Sequence, residues 1–235
     1  MERMPEGSPR PTPRMIGVVW MLYFLTAILG GLISKGLVVS TDAAATATNL
    51  LAHASQYRAS VEVGLFANAL YVALTALLYG LFVPVNRSIS LTAALFSLVG
   101  CTVQIVATIL QLAPLSFLVD SNLASAFTAA QLQAAALISL KLYAQSFHMS
   151  FEMFALFNVV LGYLIYRSTF LPRILGVFFL IAGLGWLCYV WTPLGTAARF
   201  VVLSFSGLAE VGLTLWLLVK GVDVPRWREK ARGEG

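Results

Sequence analysis

The chain has 235 residues, of which 59% are apolar and 11% charged, with a mean hydropathy of +0.86. Soluble domains carry about a quarter charged residues, so half that charge, with the apolar residues gathered in long blocks, excludes a soluble enzyme, a disordered tail and a nucleic-acid reader. The net charge of +5 resides in the gaps between the blocks, as in a membrane protein.

Residues 1–14 interleave Arg3, Arg10 and Arg14 with Pro5, Pro9, Pro11 and Pro13. Such spacing of proline excludes helix and predicts a disordered, cytoplasmic N-terminus. The block that follows, 15–37, exceeds the apolar core of about 7–15 residues that a cleavable signal carries, and reads as a retained first span. Five further blocks reach spanning length, about 17–25 residues: 61–83, 89–113, 148–166, 174–192 and 199–219. Pro84, Pro114, Pro172 and Pro193 mark edges where a missing N–H does least harm. The predicted fold class is an all-α integral membrane bundle of six transmembrane helices with two outer interfacial amphipathic helices. Residues 15–220 form the six-helix domain, and 221–235 a basic cytoplasmic tail.

Orientation follows from the positive residues. With the N-terminus inside, Arg3, Arg10, Arg14, Arg87, Arg167, Arg173, Lys220, Arg226, Arg228, Lys230 and Arg232 are inside, against Lys35, Arg58, Lys141 and Arg199 outside. Eleven against four places both termini in the cytoplasm. Two outside connections are long. Asp42 is positioned to cap an Ala-rich helix over 43–56. In 122–147, Leu132, Ala136, Leu140 and Tyr143 fall at helical spacing opposite Gln131, Gln133, Lys141 and Gln145. That stretch reads as an interfacial helix or as an extension of the fourth span.

Arg58 and Glu62 enter the second span, and His148 and Glu152 enter the fourth ninety residues later. If this echo is a parallel repeat, the two doublets face one cavity at equivalent depth.

The stretch Gly162–Gly176, including Leu171-Pro-Arg-Ile-Leu-Gly176, and the following Ile181-Ala-Gly-Leu-Gly-Trp186 resemble the C-terminal half of a bacterial membrane family, the domain of unknown function number four-three-eight-six. Asp42-Ala-Ala-Ala-Thr-Ala and Pro84-Val-Asn-Arg-Ser88 resemble its pattern too, so the likeness covers roughly residues 15–220. It implies a six-span helical fold in the bacterial inner (plasma) membrane and carries over no catalytic residue.

Ionisable groups within spans are costly and suggest function by default. Here they are Glu62, His148, Glu152 and Glu210. His148 and Glu152 stand one turn apart on one face and could hold or relay a proton; the alternative is a pair that touches nothing else. Arg58 and Glu62 read as a structural ion pair. Glu210, near the middle of the last span, has no basic residue within a turn of it. It must be protonated, bonded to another span, or exposed to a wet cavity. Asn68, Gln104, Gln111, Asn158, Ser206 and Trp186 are the candidate ligand-binding partners. Cys101 and Cys188, both in apolar blocks, read as packed thiols. His53 and His148 lack metal-ligand spacing, Gly30, Gly31, Gly176, Gly183, Gly185 and Gly207 read as helix-packing positions, and Trp191 and Trp227 fit interface anchors. No cofactor motif is present.

These residues predict an outer-half cavity, lined by the four ionisable groups, that accepts a lipophilic small molecule from the membrane lipid. Its chemistry, if any, is acid/base isomerisation or cyclisation, with Glu210 as the deep acid and His148–Glu152 as a relay. A proton-coupled or small-molecule transporter, and a non-catalytic partner or sensor subunit, are the alternatives.

Overall fold

A computed structural model describes residues 13–190 and 194–233, folded as helices α1 (Pro13–Ser34), α2 (Ala43–Ala52), α3 (Ala54–Phe82), α4 (Arg87–Val119), α5 (Ser121–Ala126), α6 (Ala129–Arg167), α7 (Arg173–Val190), α8 (Leu194–Val219) and α9 (Val224–Arg232). The expected N-terminal disorder and Trp191 lie outside the described residues, as do the side chains of Tyr189 and Arg199. Among the described residues, five stretches are long and apolar enough to cross a membrane: α1, α3, α4, α6 and Val202–Val219 of α8. The shorter apolar helix α7 lies between two of them.

The long helices form a closed ring in chain order. α1 packs on α3, α3 on α4, α4 on α6, α6 on α7, α7 on α8, and α8 returns to α1. Helices that pack on their neighbours in chain order produce such a ring without any helix having to cross it. Outward faces carry apolar stripes, among them Leu25, Ile28 and Leu32 on α1 and Val106 and Ile109 on α4, all well exposed. In water a surface so apolar would be an aggregation hazard, and in lipid it is the expected exterior. The interior is aromatic and aliphatic, built around fully buried Trp20, Leu74, Phe157, Leu161, Phe179 and Leu213.

Because lipid tails are as apolar as leucine, tight helix contact depends on shape and on interhelical hydrogen bonds. The α6–α7 seam shows the first. A Cβ on Gly162 would fall 2.8 Å from the Gly176 carbonyl oxygen, one on Gly176 2.7 Å from the Gly162 carbonyl oxygen, and one on Gly183 2.7 Å from that of Ala155. Gly176 and Gly183 thus occupy backbone contacts, whereas a Cβ at Gly31 or Gly207 would meet nothing. Hydrogen bonds supply the second: Thr75 to Ser97 at 2.6 Å, Gln104 Nε2 to Ser150 Oγ at 2.9 Å, and Trp186 Nε1 to Ser206 Oγ at 2.7 Å.

Three sequence expectations change. Pro114 does not end the third span. α4 runs through it to Val119, because the carbonyls its ring frees find donors on neighbouring helices: Ser139 Oγ donates to Leu110 O at 2.5 Å and Tyr57 OH to Gln111 O at 2.6 Å. The stretch 122–147 is not a separate interfacial helix: after the six-residue α5, residues from Ala129 onward are the first half of α6. Thr128 and Gln131 form a capping box at its start, and no glycine or proline interrupts it before Gly162. The helix expected over 43–56 forms as a separate short helix. Asp42 Oδ1 accepts from Ala45 N at 2.9 Å to cap α2, which ends at His53 rather than continuing to Gln56.

The basic tail is also structured. α9 is capped by Asp223 and docked through Trp227 Nε1 to Leu81 O at 3.0 Å and Arg226 to Thr169 O at 3.2 Å. The Asp223–Arg226 pair, at 3.3 Å, is the one ion pair among the described residues.

Candidate functional site: a cavity at the centre of the ring

Every helix of the ring contributes to one cavity of about 120 Å³. α1 supplies Tyr23, α3 Tyr71, α4 Gln104, α6 Phe147, Phe151, Phe154 and Asn158, α7 Trp186, and α8 Ser206 and Glu210. The α6 residues recur at intervals of four, three and four, which is one face of an α-helix. Ser206 and Glu210 are one turn apart on α8, the same geometry in miniature.

The wall is largely aromatic. Tyr23 and Tyr71 meet edge to face with centroids 4.8 Å apart, and Tyr71 meets Phe154 at 5.2 Å. Phe151 lies between Phe147, at 5.3 Å, and Trp186, at 4.9 Å. Three polar groups of the wall are tied to the scaffold. The Trp186 indole is held by Ser206, whose hydroxyl also donates to Val202 O at 2.9 Å, and the Gln104 amide is held by Ser150. Glu210 differs. Its backbone carbonyl accepts from Thr214 at 2.7 Å, but its carboxyl group has no hydrogen-bond or ion-pair partner among the described residues. None of the described lining residues is basic.

The cavity therefore gathers Glu210, Gln104, Asn158, Ser206 and Trp186 from the sequence candidates and leaves out Glu62, His148, Glu152, Asn68 and Gln111. Glu62 is exposed on the outer side of α3 and forms no ion pair with Arg58. Asn68 donates to Gly64 O of its own helix at 3.1 Å. Gln111 takes part through its backbone carbonyl alone. His148 is exposed and meets the edge of Phe151 at 5.9 Å, and Glu152 is half-buried without an ion pair to it. Each of these two follows a cavity-facing phenylalanine by one residue, which turns it about 100° around the helix. The doublets of the apparent repeat therefore do not meet. Tyr23, Tyr71, Phe147, Phe151 and Phe154 are the residues that sequence reasoning passed over. The α6 stripe was present as a signal in the spacing of its aromatics.

Among the described residues, no cluster of His, Cys, Asp and Glu could hold a metal ion. The cavity can hold a small organic group between π faces, with one free carboxyl group as its reactive or charge-matching element.

A family profile described as Domain of unknown function (DUF4386) matches residues 15–221. The chain belongs to this family. The DUF4386 match spans all six helices of the ring and ends where the tail helix begins. No curated protein and no solved structure matches the chain.

Proposed function

We propose that this DUF4386 protein is a six-span protein of the bacterial inner membrane, with both termini cytoplasmic, that binds a lipophilic small molecule in the ring-centre cavity and acts on it by acid/base chemistry. α7 is the sixth span, and an even number of spans accounts for the eleven-to-four distribution of positive residues between the two sides. The observation that carries the reading is the Glu210 carboxyl group, which lines this cavity without a hydrogen-bond or ion-pair partner among the described residues, while Gln104, Trp186 and Ser206 are held by the scaffold. A lone ionisable group in that position is expensive to keep in a membrane.

The matching chemistry is isomerisation or cyclisation of an unsaturated apolar substrate. Glu210 delivers its proton to one carbon, and a carboxylate oxygen then removes a proton from a neighbouring carbon, so composition is unchanged and no cofactor is consumed. Gln104 and Asn158 orient the substrate, while Ser206 holds the Trp186 ring in place. His148 and Glu152 have at most an indirect part, through Phe151.

The test is organic extraction of protein purified from its native membrane. A bound apolar molecule is expected from the wild type and is expected to be lost from Ser206→Phe, which fills the cavity. Incubated with the wild type in detergent, that molecule should yield a product of identical mass, and with Glu210→Gln it should not. Passage of the intact molecule across liposomes without conversion would establish a transporter. An empty wild-type cavity together with altered assembly in Glu210→Gln would establish a partner subunit.

A further inference from the structure

The composition of the cavity wall specifies the charge of what it holds. A lipophilic ligand that presented only hydrocarbon to Glu210 would leave its carboxyl group uncompensated, so the part of the ligand seated beside it is expected to be polar or to carry positive charge. An anion would meet a carboxyl group and the negative faces of aromatic rings, with no basic side chain among the described lining residues to offset either. A cation is complementary to both features. Aromatic faces attract an ammonium within about 6 Å of their centroids, and desolvation strengthens that attraction. Here Tyr23, Tyr71 and Phe154 form one aromatic group, with successive centroids 4.8 and 5.2 Å apart, and Phe151 and Trp186 form a second, at 4.9 Å. Glu210 and the carbonyl oxygens of Gln104 and Asn158 add acceptors to the same wall.

We propose that the ring-centre cavity is a receptor for an alkylated ammonium group or an equivalent organic cation, seated between these aromatic rings and paired with Glu210. The inference rests on the ligand-binding reading above and narrows the ligand to one chemical class. Size agrees. An apolar cavity of about 150 Å³ admits benzene, so one of about 120 Å³ suits a compact head group rather than a whole drug-sized molecule. Alkyl groups on the nitrogen favour the site for a further reason. They reduce the number of N–H donors to what the few acceptors of this wall can serve. For an isomerase or cyclase, the same wall would stabilise the positive charge that appears when Glu210 protonates a double bond.

The experiment compares two isosteres, choline and 3,3-dimethyl-1-butanol, which differ in a quaternary nitrogen against a quaternary carbon. Calorimetric titration is carried out on the full chain in a maltoside detergent, which carries no ammonium of its own. Choline is expected to bind about tenfold or more tightly than the alcohol. Glu210→Gln is expected to lose most of that preference while still binding the alcohol. Phe151→Leu, which keeps the apolar bulk and removes one π face, should lose part of it, and gel filtration of each variant reports folding. Equal binding of the two isosteres, or tighter binding of the alcohol, overturns the cation inference and leaves the ligand-binding reading standing. Failure of both to bind overturns the inference as well, while a co-purifying neutral lipid would still uphold the reading on which it rests. A choline preference that survives in both variants places the cation elsewhere and overturns the site.

Discussion

Ser139 on α6 donates its hydroxyl proton to the carbonyl oxygen of Leu110 on α4, 2.5 Å away and four residues before Pro114. This is the carbonyl that proline, lacking an N–H, cannot serve. One residue on, the Gln111 carbonyl accepts from Tyr57 of α3. Two helices thus repair the break in a third, and α4 continues for another turn.

Removal of either partner should therefore be felt according to what the other leaves behind. Ser139→Ala strands the Leu110 carbonyl and is expected to cost about 1–2 kcal/mol of stability. Pro114→Ala restores the missing N–H, so Ser139→Ala made in that background should cost less than half as much. Denaturant titration of the four proteins in detergent, read as a double-mutant cycle, checks the coupling.

At the α6–α7 seam the limit is steric. Gly176→Ala sets a methyl group 2.7 Å from the Gly162 carbonyl oxygen, a backbone atom that cannot turn aside. A loss of about 1–3 kcal/mol is expected from overpacking. Gly207→Ala, where a Cβ meets nothing, should be neutral or slightly stabilising. Thermal denaturation of the two variants side by side checks the contrast.

On the proposed reading, Glu210 serves function at the expense of stability. Glu210→Leu removes the unpartnered carboxyl group and is expected to stabilise the fold by about 1–3 kcal/mol while abolishing activity and cation binding. A destabilised Glu210→Leu protein would mean that the carboxyl group holds helices together, as in a structural subunit.

Topology is tested with single cysteines. With Cys101 and Cys188 replaced by alanine, Ser125→Cys in α5 should react with a membrane-impermeant maleimide added to intact cells. Arg228→Cys in α9 should react only after the membrane is opened. Both positions are exposed. In the parent protein, exposed Cys188 should react with a permeant reagent well before buried Cys101.

Much of the architecture was legible in the order of the residues. The apolar blocks became α1, α3, α4, α6, α7 and α8, since a membrane solvent demands apolar helices of a fixed length and that demand is local. Asp42 as a cap and Gly176 and Gly183 as packing positions are likewise local facts: a side chain that reaches its own backbone, and the absence of one. The candidate site was legible in part. Glu210 stood out because a lone carboxyl group in an apolar helix is conspicuous wherever the helix ends up. His148 and Glu152 looked equally conspicuous, but a helix face has no direction until a neighbour is packed on it. The structure turned Phe147, Phe151, Phe154 and Asn158 inward instead. The sequence by itself determined a multi-helix membrane chain with an uncompensated acid in its last span, because length, hydropathy and the cost of charge in lipid are properties of residues and their near neighbours. Only the tertiary structure decided that the helices close into a ring, that Pro114 sits inside a helix, and that Glu210 faces aromatic rings from Tyr23 to Trp186. Those outcomes depend on which helix faces meet, and that is set by contacts between residues far apart in the chain.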